Sequence, residues 1–93
     1  MKLTTVVHCK KEPYDILIDR RTKWGNPYSI GKDGTREEVI AKYKNYLIMN
    51  RELLDAIPEL FGKTLGCWCK PQACHGDVLA KIANKLYKNV RGD

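Results

Sequence analysis

The sequence predicts a small α/β fold, a single-domain two-layer or three-layer sandwich of about three strands with helices packed on the sheet. Three short β-branched apolar runs and two longer segments with helical periodicity predict it. At 93 residues the chain is expected to form one domain, residues 1–93, with a thin hydrophobic core.

The three strands are predicted from short segments without a helical stripe. "LTTVVHC", residues 3–9, is short and rich in β-branched residues and predicts a mostly buried strand. "YDILIDR", residues 14–20, follows Pro13 and reads as a second extended segment at an edge. "KTLGCW", residues 63–68, is the third strand.

The helices are predicted from capping signals and periodicity. Residues 35–50 begin with Thr35 and Glu38, spaced as a capping box, and carry the apolar face Val39, Ile40, Tyr43, Leu47 and Met49. "RELLDAI" predicts a short second helix that ends at Pro58. The last helix is expected from His75 to about Asn89, with one apolar stripe formed by Val78, Leu79, Ile82, Ala83 and Leu86.

The charge balance favours polyanionic or phosphate-bearing partners. Lysine and arginine number 17 against 11 acids, which gives a net charge of +6. The alternative is that these lysines only solvate helix surfaces. No apolar run reaches the roughly 20 residues that a membrane span needs, so we expect a cytoplasmic chain with reduced cysteines and no membrane partner.

The stretch "GCWCKPQACHGD", residues 66–77, predicts a metal site. Cys67 and Cys69 lie two apart on a strand and face the same way, and Pro71 then turns the chain toward the start of a helix. Zinc prefers about four thiolate or imidazole ligands. The predicted zinc ligands are Cys67, Cys69, Cys74 and His75, with Cys9 or His8 as substitutes if the first and third strands are neighbours.

The same stretch supports two other interpretations. Cys74 at a helix amino terminus is a candidate nucleophile, with His75 as its base and Asp77 orienting that base. Alternatively, the cysteines are reduced and buried, and His75 or Asp77 caps the helix.

The long loop "DRRTKWGNPY", residues 19–28, predicts a ligand-binding segment. Arginine can fork onto phosphate, an aromatic ring can stack on a base, and glycine lets the backbone approach a ligand. The candidate ligand-binding residues are Arg20, Arg21, Lys23, Trp24, Gly25 and Asn26. The competing interpretation is that Trp24 anchors the loop in the core.

The motifs "VVHCKKEPYDILIDR", "KWGNPY", "GTREEVI" and "LGCWCKPQACHGDVL" resemble the phage and bacterial family catalogued as domain of unknown function 4326. The resemblance extends from about Thr5 to Ala83. It implies a phage or bacterial cytoplasm and groups the positions Arg20, Lys23, Trp24, Gly25, Asn26 and Pro27 with Cys67, Cys69, Cys74, His75, Gly76 and Asp77. The chain departs from the family pattern at Asp19 and Arg21, where a glycine and a small residue are usual.

Together these observations favour a small phage-type protein that binds a nucleotide, nucleobase or other phosphate-bearing ligand through residues 19–28, beside a Cys/His site at residues 67–75 that holds zinc. Such a site would suit an enzyme that modifies the ligand. The alternative is a non-catalytic module that sequesters nucleotide or nucleic acid and whose Cys/His cluster is structural. The short chain leaves little room to enclose a substrate, which favours a homo-oligomer.

Overall fold

A computed structural model describes residues 2–91, which form an α/β domain with a three-stranded sheet and three α-helices. The predicted fold class is confirmed. In chain order the elements are β1 (Thr5–His8), β2 (Ile16–Leu17), α1 (Arg36–Ile48), α2 (Arg51–Ala56), a 3-10 segment (Ile57–Leu60), β3 (Thr64–Cys67) and α3 (His75–Arg91).

The sheet is parallel, with the strand order β1-β3-β2. Val6 and Ile16 both pair with Leu65, so β3 lies in the centre. The strands are shorter than predicted, and β2 has only two residues because it pairs with β3 over Leu65 and Gly66 alone. Parallel pairing brings the carboxyl ends of the strands to one edge of the sheet.

The core lies on the face of β3 that carries Leu65 and Cys67. Buried side chains from the helices and from residues 18 and 24 complete it: Ile18, Trp24, Tyr43, Leu47, Leu53, Ile57, Leu60, Cys74, Leu79 and Ala83. Gly66 faces the other way, and a Cβ there would lie 2.7 Å from Cγ of Tyr14. The Tyr14 ring therefore packs on the centre of the sheet, over Gly66, which has no side chain.

The predicted capping box at the start of α1 is confirmed. The Thr35 hydroxyl accepts from the Glu38 N–H at 3.2 Å, and the Glu38 carboxylate accepts from the Thr35 N–H at 2.8 Å. Val39, Tyr43 and Leu47 are buried as expected. The prediction for Met49 is wrong, because the helix ends at Ile48 and the Met49 side chain lies in solvent.

Helix α3 begins in close contact with the sheet, and Gly76 permits this approach. A Cβ at Gly76 would lie 2.7 Å from Cδ1 of Ile18 and 2.9 Å from Cγ1 of Val6. The start of α3 is thereby pressed against the carboxyl end of β2. Within residues 2–91, no helix combines the length and apolarity that crossing a bilayer requires.

Candidate functional site

A cavity of about 290 Å³ opens at the carboxyl ends of β2 and β3, beside the first turns of α1 and the amino terminus of α3. This edge of a parallel sheet is where open α/β folds bind their ligands. The lining residues come from five segments: Ile18, Asp19 and Arg20; Asn26, Tyr28, Ser29 and Ile30; Arg36, Val39 and Ile40; Cys67, Trp68 and Cys69; and Ala73, Cys74 and His75.

The loop that forms one wall of the cavity is tightly folded on itself. Arg20 turns back along the loop, donating from Nε to the Asn26 carbonyl at 2.9 Å and from Nη2 to Oγ of Ser29 at 2.7 Å. The Asn26 side chain accepts from the Tyr28 N–H at 2.9 Å. This wall is therefore held by its own hydrogen bonds before any ligand binds.

A side chain of helix α1 holds the same loop in place. The buried Tyr43 hydroxyl donates to the Trp24 carbonyl at 2.8 Å. Trp24 itself is only 2 % exposed and belongs to the core, as the competing interpretation of the sequence proposed. The loop therefore places a tryptophan in the core rather than in the cavity.

Two of the predicted ligand-binding residues line the cavity, namely Arg20 and Asn26. The other four are not among its lining residues. Arg21 forms an ion pair with Asp19 at 2.6 Å, Lys23 forms one with Glu59 at 3.0 Å, and Gly25 lies against the backbone of the loop. The basic loop thus supplies the cavity with one arginine and one amide rather than with its full set of charges.

Trp68 supplies the exposed aromatic surface that the sequence assigned to Trp24. Its side chain lines the cavity and is 48 % exposed. The indole N–H donates to Asp19 at 3.1 Å, and the ring lies edge-on to His8 with 6.0 Å between centroids. Strand alternation predicts that Trp68 points away from Cys67, but β3 ends at Cys67 and both residues line the same cavity.

Asp19 joins this aromatic residue to the loop. Its carboxylate accepts from the Arg21 guanidinium and from the Trp68 indole. These hydrogen bonds, that of Arg21 first, hold the pKa of Asp19 well below its usual range. A permanently ionised Asp19 therefore orients the indole at the mouth of the cavity.

Cys67 and Cys74 form a thiol pair in the cavity wall. Their sulfur atoms lie 3.3 Å apart, with Cys74 as donor, and both residues are buried. The Cys74 thiol, together with backbone N–H groups of Cys69 and Lys70, lowers the pKa of Cys67 to about 6. The same hydrogen bond and burial raise the pKa of Cys74. The two shifts favour a thiolate on Cys67 over one on Cys74.

His75 hydrogen-bonds to a backbone carbonyl rather than to these thiols. Its Nε2 donates to the Ile18 carbonyl at 2.7 Å, the Trp24 carbonyl is also near the ring, and the ring packs edge-on against Tyr43 with 4.8 Å between centroids. Burial lowers the pKa of His75, and the two carbonyls only partly oppose this shift. The ring ties the loop to α3, which differs from the base predicted for Cys74.

Asp77 caps α3 instead of orienting His75. One carboxylate oxygen accepts from the Cys74 N–H at 3.1 Å, and the other accepts from the Lys70 ammonium at 2.5 Å. This capping role agrees with the alternative interpretation of the sequence. The Asp77 carboxylate also holds the Lys70 ammonium beside the turn that connects the two thiols.

The predicted zinc ligands are spread over this region. Cys67 and Cys74 meet, and β1 lies beside β3 with His8 opposite Cys67, as the substitute-ligand argument required. However, among residues 2–91 no group of three or more His, Cys, Asp or Glu side chains converges in a way that could hold a metal ion. The Nε2 atom of His75 faces a carbonyl. The zinc site stays a prediction from the sequence.

The family comparison agrees with the resemblance noted in the sequence. Residues 3–85 match the family described as domain of unknown function (DUF4326). The chain belongs to this family. Its defining motifs now have structural roles in this DUF4326 chain: the tryptophan-glycine segment folds the loop, and the Cys-His-Gly-Asp segment begins α3.

Two relatives of this DUF4326 chain are viral proteins. An uncharacterized 12.4 kDa protein from the nrdA-td intergenic region of Enterobacteria phage T4 is 42 % identical, over 95 % of this chain and 84 % of its own length. An uncharacterized protein of Acanthamoeba polyphaga mimivirus is 37 % identical, over 72 % of this chain and 57 % of its own length. No solved structure matches the chain.

Proposed function

We propose that this protein binds a nucleotide, or another anion that carries a nucleobase, in the cavity at the carboxyl ends of β2 and β3. The observation that carries the proposal is the combination found there: an apolar cavity with arginines on two sides and a half-exposed tryptophan at its mouth. A nucleotide has the matching parts, a flat apolar base and a charged phosphate.

The size and lining of the cavity suit a base or nucleoside. Its volume of about 290 Å³ lies near the lower end of small-molecule sites. Ile18, Val39 and Ile40 provide apolar walls. The Asn26 amide already donates to the Val39 carbonyl and accepts from the Tyr28 N–H, and the Ser29 hydroxyl accepts from Arg20, so the second amide hydrogen and the hydroxyl hydrogen are the groups left to read the edge of a base.

The two arginines are the candidate phosphate ligands. Arg36 reaches from the first turn of α1 to the Ala73 carbonyl at 3.0 Å, which places its guanidinium beside the turn before α3. Arg20 lies across the cavity in the folded loop. Each has N–H groups beyond those used in these bonds, and a guanidinium binds phosphate oxygens in pairs.

Trp68 is the candidate stacking residue. Its indole is already oriented by Asp19 and His8, so a base would stack on it with little loss of side-chain entropy. Stacking on an aromatic side chain contributes about 1–3 kcal/mol per base.

The test is calorimetric titration with the common ribonucleoside and deoxyribonucleoside monophosphates, the matching nucleosides and inorganic phosphate. We expect at least one monophosphate to bind, and to bind more tightly than its nucleoside. Trp68→Ala and Arg36→Ala should each weaken that binding about tenfold or more. The control is Lys44→Ala, which removes an exposed charge from α1 outside the cavity lining.

Two outcomes would contradict the proposal. One is that no compound of the panel binds to the folded protein. The other is that the Arg36→Ala and Trp68→Ala variants bind as tightly as Lys44→Ala. Tighter binding to single-stranded oligonucleotides, with a steep decrease as salt rises, would support the nucleic-acid alternative instead.

A further inference from the structure

We propose that Cys67 and Cys74 are a redox-active pair that forms a reversible disulfide by exchange with small-molecule disulfides. The nucleotide proposal assigns no chemistry to these thiols, and the redox proposal stands without it. The redox proposal concerns the reactivity of the two thiols in the wall of the cavity that the nucleotide proposal also uses.

The positions of the two sulfur atoms carry the inference. They lie 3.3 Å apart, whereas a disulfide bond is about 2.0 Å long. One sulfur is at the carboxyl end of β3 and the other immediately precedes α3, with a six-residue turn between them. Side-chain rotation and a small shift of this turn are enough to close the remaining gap of about 1 Å.

The surroundings of the pair favour a thiolate on Cys67. Its sulfur accepts the hydrogen bond that the Cys74 thiol donates at 3.3 Å. The Lys70 ammonium, held near the turn by Asp77, adds positive charge. Cys67 is therefore the attacking thiol, and Cys74, next to it, is the resolving thiol.

The cavity gives reagents access to the pair. A cysteine that is fully enclosed by apolar side chains is inert. Cys67 and Cys74 are each only 2 % exposed, but both line the cavity. A small, flexible disulfide can therefore reach them through the cavity, whereas a macromolecular disulfide cannot.

The exchange is balanced in two steps. The Cys67 thiolate attacks one sulfur of a disulfide RSSR, forms a mixed disulfide and releases RS⁻, which takes up a proton. Cys74, after losing its proton to solvent, attacks the Cys67 sulfur, forms the Cys67–Cys74 bond and releases a second RS⁻. In total, two protein thiols are oxidised to one disulfide and one RSSR is reduced to two RSH.

The experiment uses a Cys9→Ser/Cys69→Ser chain, in which the pair is the only source of thiols. It is equilibrated with mixtures of reduced and oxidised glutathione, quenched with an alkylating reagent and weighed by mass spectrometry. We expect an intramolecular disulfide to accumulate in the folded protein and to revert in excess reduced glutathione. The far-ultraviolet circular dichroism of the oxidised protein should match that of the reduced protein.

Two further variants identify the attacking thiol. In the same background, Cys74→Ser should trap one glutathione on Cys67, at least about tenfold faster than Cys67→Ser traps one on Cys74. If a serine background fails to fold, the unmodified chain is oxidised and digested with chymotrypsin. Cleavage after Trp68 leaves Cys67 on one peptide and Cys69 and Cys74 on the other, and fragmentation of the linked pair should then show Cys74 bonded to Cys67 and Cys69 alkylated.

The proposal is overturned if glutathione modifies Cys9 and Cys69 in the unmodified chain while Cys67 and Cys74 stay reduced. It is also overturned if their disulfide appears only after denaturant unfolds the protein. Faster trapping on Cys74 than on Cys67 would overturn the assignment of the attacking thiol.

Discussion

Replacing Gly25 by alanine should destabilise the protein strongly, because the loop leaves no room for a Cβ there. An added Cβ would lie 2.5 Å from the Arg20 Cα, 2.7 Å from the Arg20 nitrogen and 2.7 Å from the Asp19 carbonyl oxygen. All three are backbone atoms, so no side-chain rotation relieves the overlap. Gly25 is not one of the glycines with positive φ, which makes the expected cost steric rather than conformational.

The magnitude follows from these distances. Carbon atoms in contact are normally about 3.5–4.0 Å apart, so the new methyl group overlaps the loop by about 1 Å. Overpacking of this kind typically lowers the free energy of unfolding by about 1–3 kcal/mol. Because the neighbouring atoms belong to the backbone, we expect Gly25→Ala to lie at the upper end of this range, about 3 kcal/mol. The Tm of a domain of this size would fall by roughly 10–20 °C.

The assay is urea denaturation followed by circular dichroism, with Gly66→Ala as the matched control. A Cβ at Gly66 would lie 2.7 Å from its nearest atom, against 2.5 Å at Gly25, but that atom belongs to the ring of Tyr14. The Tyr14 side chain is partly exposed and can move more easily than backbone, so the control should cost less than Gly25→Ala, about 1–2 kcal/mol. Equal stability of the two variants, within about 0.5 kcal/mol, would refute the argument that the loop backbone cannot yield.

Three further changes test the contacts that hold the site. Tyr43→Phe removes the donor to the Trp24 carbonyl and should lower the free energy of unfolding by about 1–2 kcal/mol in urea denaturation, whereas Tyr46→Phe on the same helix should change it less. Thr35→Ala removes the cap of α1 and should cost about 1 kcal/mol by the same assay, which Thr35→Ser should largely restore; an unchanged midpoint for Thr35→Ala would contradict this. Burial lowers the pKa of His75 below 6.5, so as the pH falls the unfolded chain binds a proton at this residue before the folded protein does. The contribution of His75 to the free energy of unfolding is therefore complete above pH 6.5 and is lost as the pH falls below it. The urea midpoint should therefore drop between about pH 7.5 and 5.5, and His75→Gln should show a smaller drop; equal drops would argue against this linkage.

The local elements of the fold were predictable because their signals are local. Thr35 and Glu38 are three residues apart, so the capping box of α1 could be identified from the sequence and is confirmed. The start of α3 at His75 was equally clear from the apolar stripe that follows it. The strand positions were also identified from the sequence. The strand lengths were not, because they depend on which residues pair with β3, and local sequence patterns do not specify that pairing.

The candidate site was predicted only in part, because side-chain direction depends on distant neighbours. The sequence left open whether the Trp24 ring belongs to the ligand site or to the core, and the structure places it in the core, where Tyr43 donates to its carbonyl. Trp68, in turn, follows the last residue of β3, so alternation along the strand does not fix the direction of its side chain. Its exposure could not be inferred, since it depends on what else covers that end of the sheet.

The sequence by itself determined the family, the α/β class and the helix starts, since motifs and short-range periodicity specify these. Only the tertiary structure decided that the carboxyl ends of β2 and β3 share a cavity with α1. It also decided that Cys67 pairs with Cys74 while His75 bonds to the Ile18 carbonyl. These residues are between 7 and 57 positions apart, and parallel pairing of short strands brings them together.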